Sequence, residues 1–417
     1  MMLYDMDIYS RACRSVQRNF DEFVPAGTSD AQLNKYVHCF AIKSCPVSYI
    51  LNYTVKQCNF GLETASVMEM KQALRCGCPP ERVVYDSPCK STDEIRTALL
   101  CGVNINANSF VEINKIITER EKLEKEGLGG KCIGVVGCRV NPMVGGGNIS
   151  ALSTATASSK FGIPLTVAGK GKIEAIYKKY PYFKGIMSHV GSQGMPVSIM
   201  AKGVQILCNL ADDIDAVCRV EGETTGRIQM LDIGGGLSAN YGSEQISPTF
   251  GDYATEILKV YPRFFQQGRT IVTEFGKSLI TKSGVICTTI EDVLTPPTQA
   301  EVQAAVAMAE RLPHSAAPDA ESSPVAAPTE EQEKYTVIIH AGADLLLRTA
   351  YCPATFKHRF ALVPAVEKNA SECAVTIAGP LCFSGDILAK DYMLPKPDEG
   401  DKLLILDTGA NSISTFR

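Results

Sequence analysis

The sequence predicts an α/β protein: a (β/α)8 barrel followed by a smaller, mainly β domain. Three observations carry this. From about residue 36 to 280, short β-branched runs alternate with longer helix-patterned stretches, the mark of repeated βα units around a parallel sheet. Eight such runs can be counted, and their span matches the roughly 250 residues typical of a closed barrel. Beyond residue 335 the pattern changes to strand-like runs separated by turn residues. An open doubly wound sheet is the alternative for the first part.

The eight candidate strands are the runs ending near Phe40-Ala41-Ile42, then Gly61-Leu62-Glu63, Val83-Val84-Tyr85, Ile105-Asn106-Ala107, Val135 to Val140, Ile186 to Val190, Gln229 to Ile233 and Ile271 to Glu274. Residues 1–290 are assigned to the barrel. In 291–334, Pro296, Pro297, Pro313, Pro318, Pro324 and Pro328 sit among Ala, Ser and Glu with little apolar periodicity, and the stretch reads as a mobile insertion. The β domain, 335–417, contains the runs Thr336 to Ile339, Ala374 to Ile377 and Leu403 to Leu406.

Composition narrows the function classes. With 417 residues, 45% hydrophobic and 21% charged, the chain can bury a large core and form two domains. A net charge of −4 with interspersed signs supplies no basic stripe for nucleic acid, so small molecules are the expected ligands. No apolar run is long enough to span a bilayer, and the first residues lack a basic region followed by an apolar stretch, so a soluble, intracellular and cytoplasmic protein is expected. The 16 cysteines include no C-x-x-C pair, and the Cys76/Cys78 spacing is not a usual zinc pattern, so no metal site is expected. Their scatter through strand-like and helix-like segments reads as buried apolar thiols in a reducing compartment.

In a (β/α)8 barrel the active site lies at the C-terminal ends of the strands. There the sequence places Lys43, Glu63, Arg139, His189, Gly234, Gly235, Gly236 and Glu274. A lysine ending an apolar strand can bond covalently to an aldehyde, and burial favours its neutral amine. The glycine run offers closely approachable backbone N–H groups that suit phosphate. A carboxylate such as Glu274 can keep a pyridinium nitrogen protonated, and His189 can stack on a ring face. Each feature alone has a plainer meaning: a lone lysine after a strand is usually a solvated charge, a glycine triplet a tight turn, a histidine there a structural hydrogen-bond partner.

Their order along the chain is more specific. Phe40-Ala41-Ile42-Lys43, Ser188-His189-Val190-Gly191-Ser192-Gln193, Asp232-Ile233-Gly234-Gly235-Gly236 and Glu274-Phe275-Gly276-Lys277 resemble the successive signatures of the fold-type III decarboxylases, the group of diaminopimelate, ornithine and arginine decarboxylases. Glu69, Arg139-Val140-Asn141-Pro142, Ser159-Lys160-Phe161-Gly162 and Gly379-Pro380-Leu381-Cys382 with Asp386 extend the resemblance over almost the whole chain outside the insertion. It implies an alanine-racemase-like barrel that binds pyridoxal 5′-phosphate. Lys43 is implied as the Schiff-base lysine, His189 as the residue stacked on the ring and Glu274 as the partner of its nitrogen. Glu63, Arg139, Ser192, Gly234, Gly235, Gly236, Gly276 and Lys277 are implied as further cofactor contacts, and Arg348, Tyr351 and Asp386 as substrate contacts. Cys382 is implied to protonate the product carbon from the partner subunit of a head-to-tail homodimer. The implied reaction is decarboxylation of an amino acid to an amine and carbon dioxide. The same fold also serves racemases, though the Gly-Pro-Leu-Cys signature argues against that reading. A catalytically silent regulatory partner is the other alternative, and the presence of Lys43, His189, Glu274 and Cys382 argues against it.

Four departures from the family pattern are visible. Phe383 and Lys277 stand where the diaminopimelate enzymes usually carry Glu and Arg: Phe cannot bind a distal ammonium, and Lys lacks the planar fork that grips a carboxylate. Diaminopimelate is therefore disfavoured as the substrate. Asn411 stands where many relatives have a Tyr that reaches the cofactor. Against the family pattern, the chain also starts within the first strand of the β domain and ends short of that domain's closing strands.

Overall fold

The computed structural model describes residues 1–23, 34–148, 153–220, 226–295, 297–309 and 334–412. The chain divides into two units: Tyr4–Gly284 with Asp407–Arg417, and Met1–Leu3 with Val285–Leu406. After β1 (Met2–Tyr4) and α1 (Met6–Val16), the barrel strands begin with β2 (Lys35–Ala41), β3 (Gly61–Thr64), β4 (Val83–Tyr85), β5 (Asn104–Ala107) and β6 (Val136–Asn141). Next comes a two-residue β7 (Ile163–Pro164), then β8 (Phe183–Met187), β9 (Met230–Asp232) and β10 (Thr270–Thr273). Every neighbouring pair is parallel, from β2–β3 through β5–β6, β6–β8, β8–β9 and β9–β10, and β10 pairs back to β2. The eight strands therefore form a closed parallel barrel, and the open-sheet alternative falls.

The helices α2 (Ser48–Lys56), α3 (Val67–Arg75), α4 (Thr92–Cys101), α5 (Phe110–Lys125), α6 (Val167–Lys179), α7 (Val197–Cys218) and α8 (Phe250–Val260) follow their strands. Five begin where a hydroxyl accepts the N3 backbone N–H: Ser66, Ser91, Ser109, Thr166 and Thr249. Each such cap removes one orphan donor and stops the βα loop at a defined residue.

Two expectations are corrected in detail. The sixth run, read as Ile186 to Val190, is strand over Phe183–Met187: Lys184 interrupts the apolar pattern early, and past Met187 the pairing with β9 closes on the bond from Ser188 N–H to Asp232 O. The last strand is followed by only a short helix, α9 (Lys277–Ile280), and α1 packs against it from the beginning of the unit. Tyr9 of α1 is fully buried, with its hydroxyl 2.6 Å from Thr54 Oγ1 and its ring edge-on to Phe40.

The second unit holds β11 (Gly284–Leu294), α10 (Gln299–Ala309), β12 (Lys334–Ile339), α11 (Leu347–Tyr351), β13 (Phe360–Val363), β14 (Glu372–Ala378), β15 (Ile387–Pro395) and β16 (Lys402–Ile405). Its sheet runs β13-β16-β11-β12-β14-β15, with β1 on β11. Ile286, Ile290, Val337, Ile339, Val375, Ile377, Leu403 and Ile405 form its core. Of the stretch expected to be a mobile insertion, 291–294 is strand and 299–309 is helix, while 310–333 lies outside the described residues.

Candidate active site

Lys43 sits in a single 3₁₀ turn, Ile42–Ser44, directly after the buried end of β2. Ser44 Oγ donates to Ala41 O at 2.7 Å, and Asn411 ties the same turn by donating its backbone N–H to Ser44 O (2.7 Å) and its side-chain amide to Lys43 O (3.1 Å). The Lys43 side chain is half exposed, and its Nζ donates to Glu63 Oε2 at 2.7 Å, Glu63 itself being fully buried at the end of β3. Burial works against the ammonium, but Glu63 and then Glu274 outweigh it, and the Lys43 pKa is raised. The expectation that burial favours a neutral amine is thus corrected: strand ends on neighbouring staves supply carboxylates that hold the charge.

Arg139 on β6 is buried and donates to Asp86 Oδ2 at 2.7 Å, its guanidinium lying 4.5 Å from the centre of the Phe161 ring. His189 is held well below the ordinary histidine range by burial and by the cations Arg139, Lys43 and Lys277. Its Nδ1 accepts the Gly235 N–H at 3.1 Å, so the proton of the neutral ring is on Nε2. A neutral imidazole presents a face on which an aromatic ring can stack without charge repulsion.

The glycine run is pressed between neighbouring loops. A β-carbon on Gly235 would meet Glu274 O at 2.3 Å, and one on Gly236 (φ +102°) would meet Gly191 O at 1.9 Å. Two of the three amides are engaged within the protein, Gly234 N with Asp232 Oδ1 (2.9 Å) and Gly235 N with His189. The run therefore contributes close approach and not three free donors. Beside it, Lys277 Nζ donates to Ser192 Oγ at 3.2 Å, and Gly276 leaves room for Ser44, whose Oγ a β-carbon there would meet at 2.5 Å.

Glu274 follows β10 and is buried, with Oε1 lacking any donor. Burial, then Asp232, Glu63 and Asp86, push its pKa well above the carboxylate range. Asp86 and Asp232 are the functional candidates that were not assigned from the sequence. Asp86 follows the run Val83-Val84-Tyr85 by one residue, so the strand-end rule that selected Glu63 also selects it.

In the second unit, Cys382 and Phe383 are exposed on the loop between β14 and β15. Asp386 is buried and holds that loop: its carboxylate accepts from Ala343 N (2.6 Å) and Leu381 N (2.8 Å), and Gly342 and Gly379 lie against it with no room for a β-carbon. Its carboxylate is turned onto backbone amides, one of this loop and one of the segment after β12. Arg348 lies 5.4 Å from the Phe356 ring centre, and Tyr351 is half exposed at the end of α11.

A sequence model described as the pyridoxal-binding domain of pyridoxal-dependent decarboxylases matches residues 17–281, more than half of the chain. The chain belongs to this family. It is an enzyme, a carboxy-lyase that uses pyridoxal 5′-phosphate to decarboxylate an amino acid. Among its relatives, the diaminopimelate decarboxylase of Pseudomonas aeruginosa is 28% identical over 378 residues, covering 89% of this chain and 76% of that protein. That of Helicobacter pylori is 26% identical over 387 residues, covering 90% and 79%. The fold is shared with the Helicobacter pylori diaminopimelate decarboxylase complexed with L-lysine (TM-score 0.74, 23% identity, 99% of this chain and 87% of that one). It is shared too with the Paramecium bursaria Chlorella virus arginine decarboxylase bound to agmatine (TM-score 0.70, 16% identity, 99% and 90%).

The family's cofactor fits the residues present. Glu274 offers a buried carboxyl oxygen with no donor, which a protonated ring nitrogen would satisfy. Lys43 offers a half-exposed side chain whose amine Glu63 holds at 2.7 Å, and the glycine run leaves backbone where side chains would block approach. Among the described residues no helix is long and apolar enough to cross a membrane.

Proposed function

We propose that Lys43 is the residue that holds the aldehyde of pyridoxal 5′-phosphate, and that the substrate is an amino acid of the diaminopimelate, ornithine or arginine type. The observation that carries this is the amine of Lys43 at the end of β2, within electrostatic reach of a buried Glu274 carboxyl that has an unpartnered oxygen. In this reading Glu274 holds the ring nitrogen, His189 covers a ring face, and Ser192, Gly234, Gly235, Gly236, Gly276 and Lys277 surround the phosphate. Glu63 and Arg139 complete the cofactor's polar surroundings. When bound, the cofactor accepts the electron pair released as carbon dioxide leaves the substrate.

The chain's own residues would do the rest. Glu63 takes up the proton that Lys43 must lose before its amine can act, since its Oε2 is already 2.7 Å away. Arg348 and Tyr351 are the candidate substrate contacts. Asp386 serves the substrate by holding the Cys382 loop. Cys382 Sγ returns a proton to the substrate carbon, acting in the barrel of a second copy in a head-to-tail homodimer. Phe383, beside it, lacks the carboxylate that the diaminopimelate enzymes usually carry there, which disfavours diaminopimelate within this group. A soluble, cytoplasmic enzyme is the matching cellular setting.

The test is covalent trapping. Protein loaded with pyridoxal 5′-phosphate and reduced with borohydride should carry the cofactor on the peptide containing Lys43, and the Lys43→Ala variant should carry none. Cofactor fixed on another lysine would sink the assignment. A screen of diaminopimelate, lysine, ornithine and arginine for released carbon dioxide then names the substrate.

A further inference from the structure

Four carboxyl groups are buried at the strand ends of the barrel: Glu63, Asp86, Asp232 and Glu274. Two have cations in hydrogen-bond contact, Glu63 with Lys43 and Asp86 with Arg139, both at 2.7 Å. Asp232 and Glu274 remain, on adjacent staves: Asp232 ends β9 opposite Val272 of β10, and Glu274 lies two residues beyond Val272. Asp232 Oδ1 accepts from Gly234 N, Gly234 O accepts from Glu274 N at 2.8 Å, and Asp232 Oδ2 and Glu274 Oε1 have no donor.

We propose that in the cofactor-free chain Asp232 and Glu274 hold one proton between them, and that Asp232 is thereby a positioning residue that keeps the Glu274 carboxyl in place until the ring nitrogen takes up its Oε1. Two ionised carboxylates cannot hydrogen-bond each other, so as anions they would leave Asp232 Oδ2 and Glu274 Oε1 as buried acceptors without donors. A single proton turns one of them into a donor and closes a ring through Gly234 that fixes the direction of Glu274. The surroundings point the same way. Burial first, then the carboxylates around it, lifts Asp232 to about 7, and Glu274 interacts directly with its side chain. Glu63, Asp86 and the buried Cys39 thiol face the pair from the acidic side. Lys43 is the nearby cation and is already on Glu63, Arg139 is on Asp86, and His189 is neutral. This deepens the reading of Glu274 as the residue that holds the ring nitrogen and rests on it for its purpose, though not for its test.

The test is infrared spectroscopy of the full-length, cofactor-free chain at about pH 6, above the usual carboxylate range. The wild type should show a protonated-carboxyl C=O band. Asp232→Asn and Glu274→Gln should each shift or abolish it, because the new amide takes over one side of the shared hydrogen bond and the surviving carboxyl either ionises or holds its proton in a different bond. No such band in the wild type, or a band left unchanged in position and intensity by Asp232→Asn, overturns the shared proton. The two substitutions report independently, so loss of folding in one, seen by circular dichroism, leaves the other to decide. Borohydride trapping on Asp232→Asn separates the two claims: cofactor still fixed to Lys43 with the band unchanged sinks only the shared proton, whereas cofactor fixed elsewhere with the band shifted or lost sinks only the assignment of Lys43.

Discussion

The Arg139–Asp86 pair provides the sharpest energetic test. Both side chains are almost fully buried, 6% and 3% exposed, so neither charge can turn to water when the other is removed. Replacing Asp86 with Ala leaves a guanidinium in the barrel that acts, with Lys43 and Lys277, on the same His189 ring, and breaking a buried pair of this kind costs about 3–5 kcal/mol. The lower end applies here, because Glu63, Asp232 and Glu274 remain close enough to answer part of the charge. About 3 kcal/mol in a unit as large as Tyr4–Gly284 corresponds to a fall in Tm of roughly 6 °C, the low end of the usual range. The assay is thermal unfolding of the cofactor-free protein followed by far-ultraviolet circular dichroism, at one scan rate for all variants. Arg139→Met added to Asp86→Ala should recover part of the loss by removing the stranded cation. A single variant that melts within about 1 °C of the wild type would show that the pair is not desolvated as described, and the reasoning would fail.

Three further outcomes follow from the same geometry. Gly236→Ala forces a β-carbon to within 1.9 Å of Gly191 O at φ +102°, and should destabilise the protein by at least about 2 kcal/mol in the same melt. Asp232 has a folded pKa of about 7 against an ordinary 3.8, so its protonation stabilises the fold below pH 4 and that contribution is lost as pH rises to 7. Asp232→Asn should therefore be the more stable protein above pH 7, by at most about 4 kcal/mol, with the difference shrinking toward pH 4 in urea titrations. Finally, mixing inactive Lys43→Ala and Cys382→Ala proteins should restore part of the decarboxylase activity if the two residues act from different subunits, and mixtures that stay inactive count against that dimer.

Much of the fold was legible because a barrel strand ends in a recognisable way, with an apolar run followed by a polar residue. Val83–Tyr85 is the strand the sequence predicts, and Lys43, Glu63, His189 and Glu274 lie within two residues of strand ends as their positions suggest, while Arg139 lies inside β6. The role of α1 was not legible, because Tyr9 meets Thr54 and Phe40 only after the barrel has closed. Nor was β15 legible: Lys390 and Asp391 interrupt its alternation, and Asp391 takes φ +50°, so the period of two is broken where the strand bends. Asn411 stood out only as a departure from the family pattern, while its work on the Lys43 turn depends on a chain return that no local pattern announces.

At Lys43 local and global context pull in opposite directions. Desolvation alone lowers a lysine pKa, but the barrel's neighbouring strand ends bring Glu63 and Glu274 to the half-exposed side chain, and the carboxylates win. An ammonium cannot attack a carbonyl, so a lysine held in this way needs an acceptor for its proton in place before it reacts. In the proposed reading Glu63 Oε2 is that acceptor, hydrogen-bonded at 2.7 Å on a side chain with no access to water, where burial raises its pKa above that of an exposed glutamate. The pairing that keeps the amine charged is thus also the shortest route by which it can be discharged, and the proton passes between two atoms already in contact.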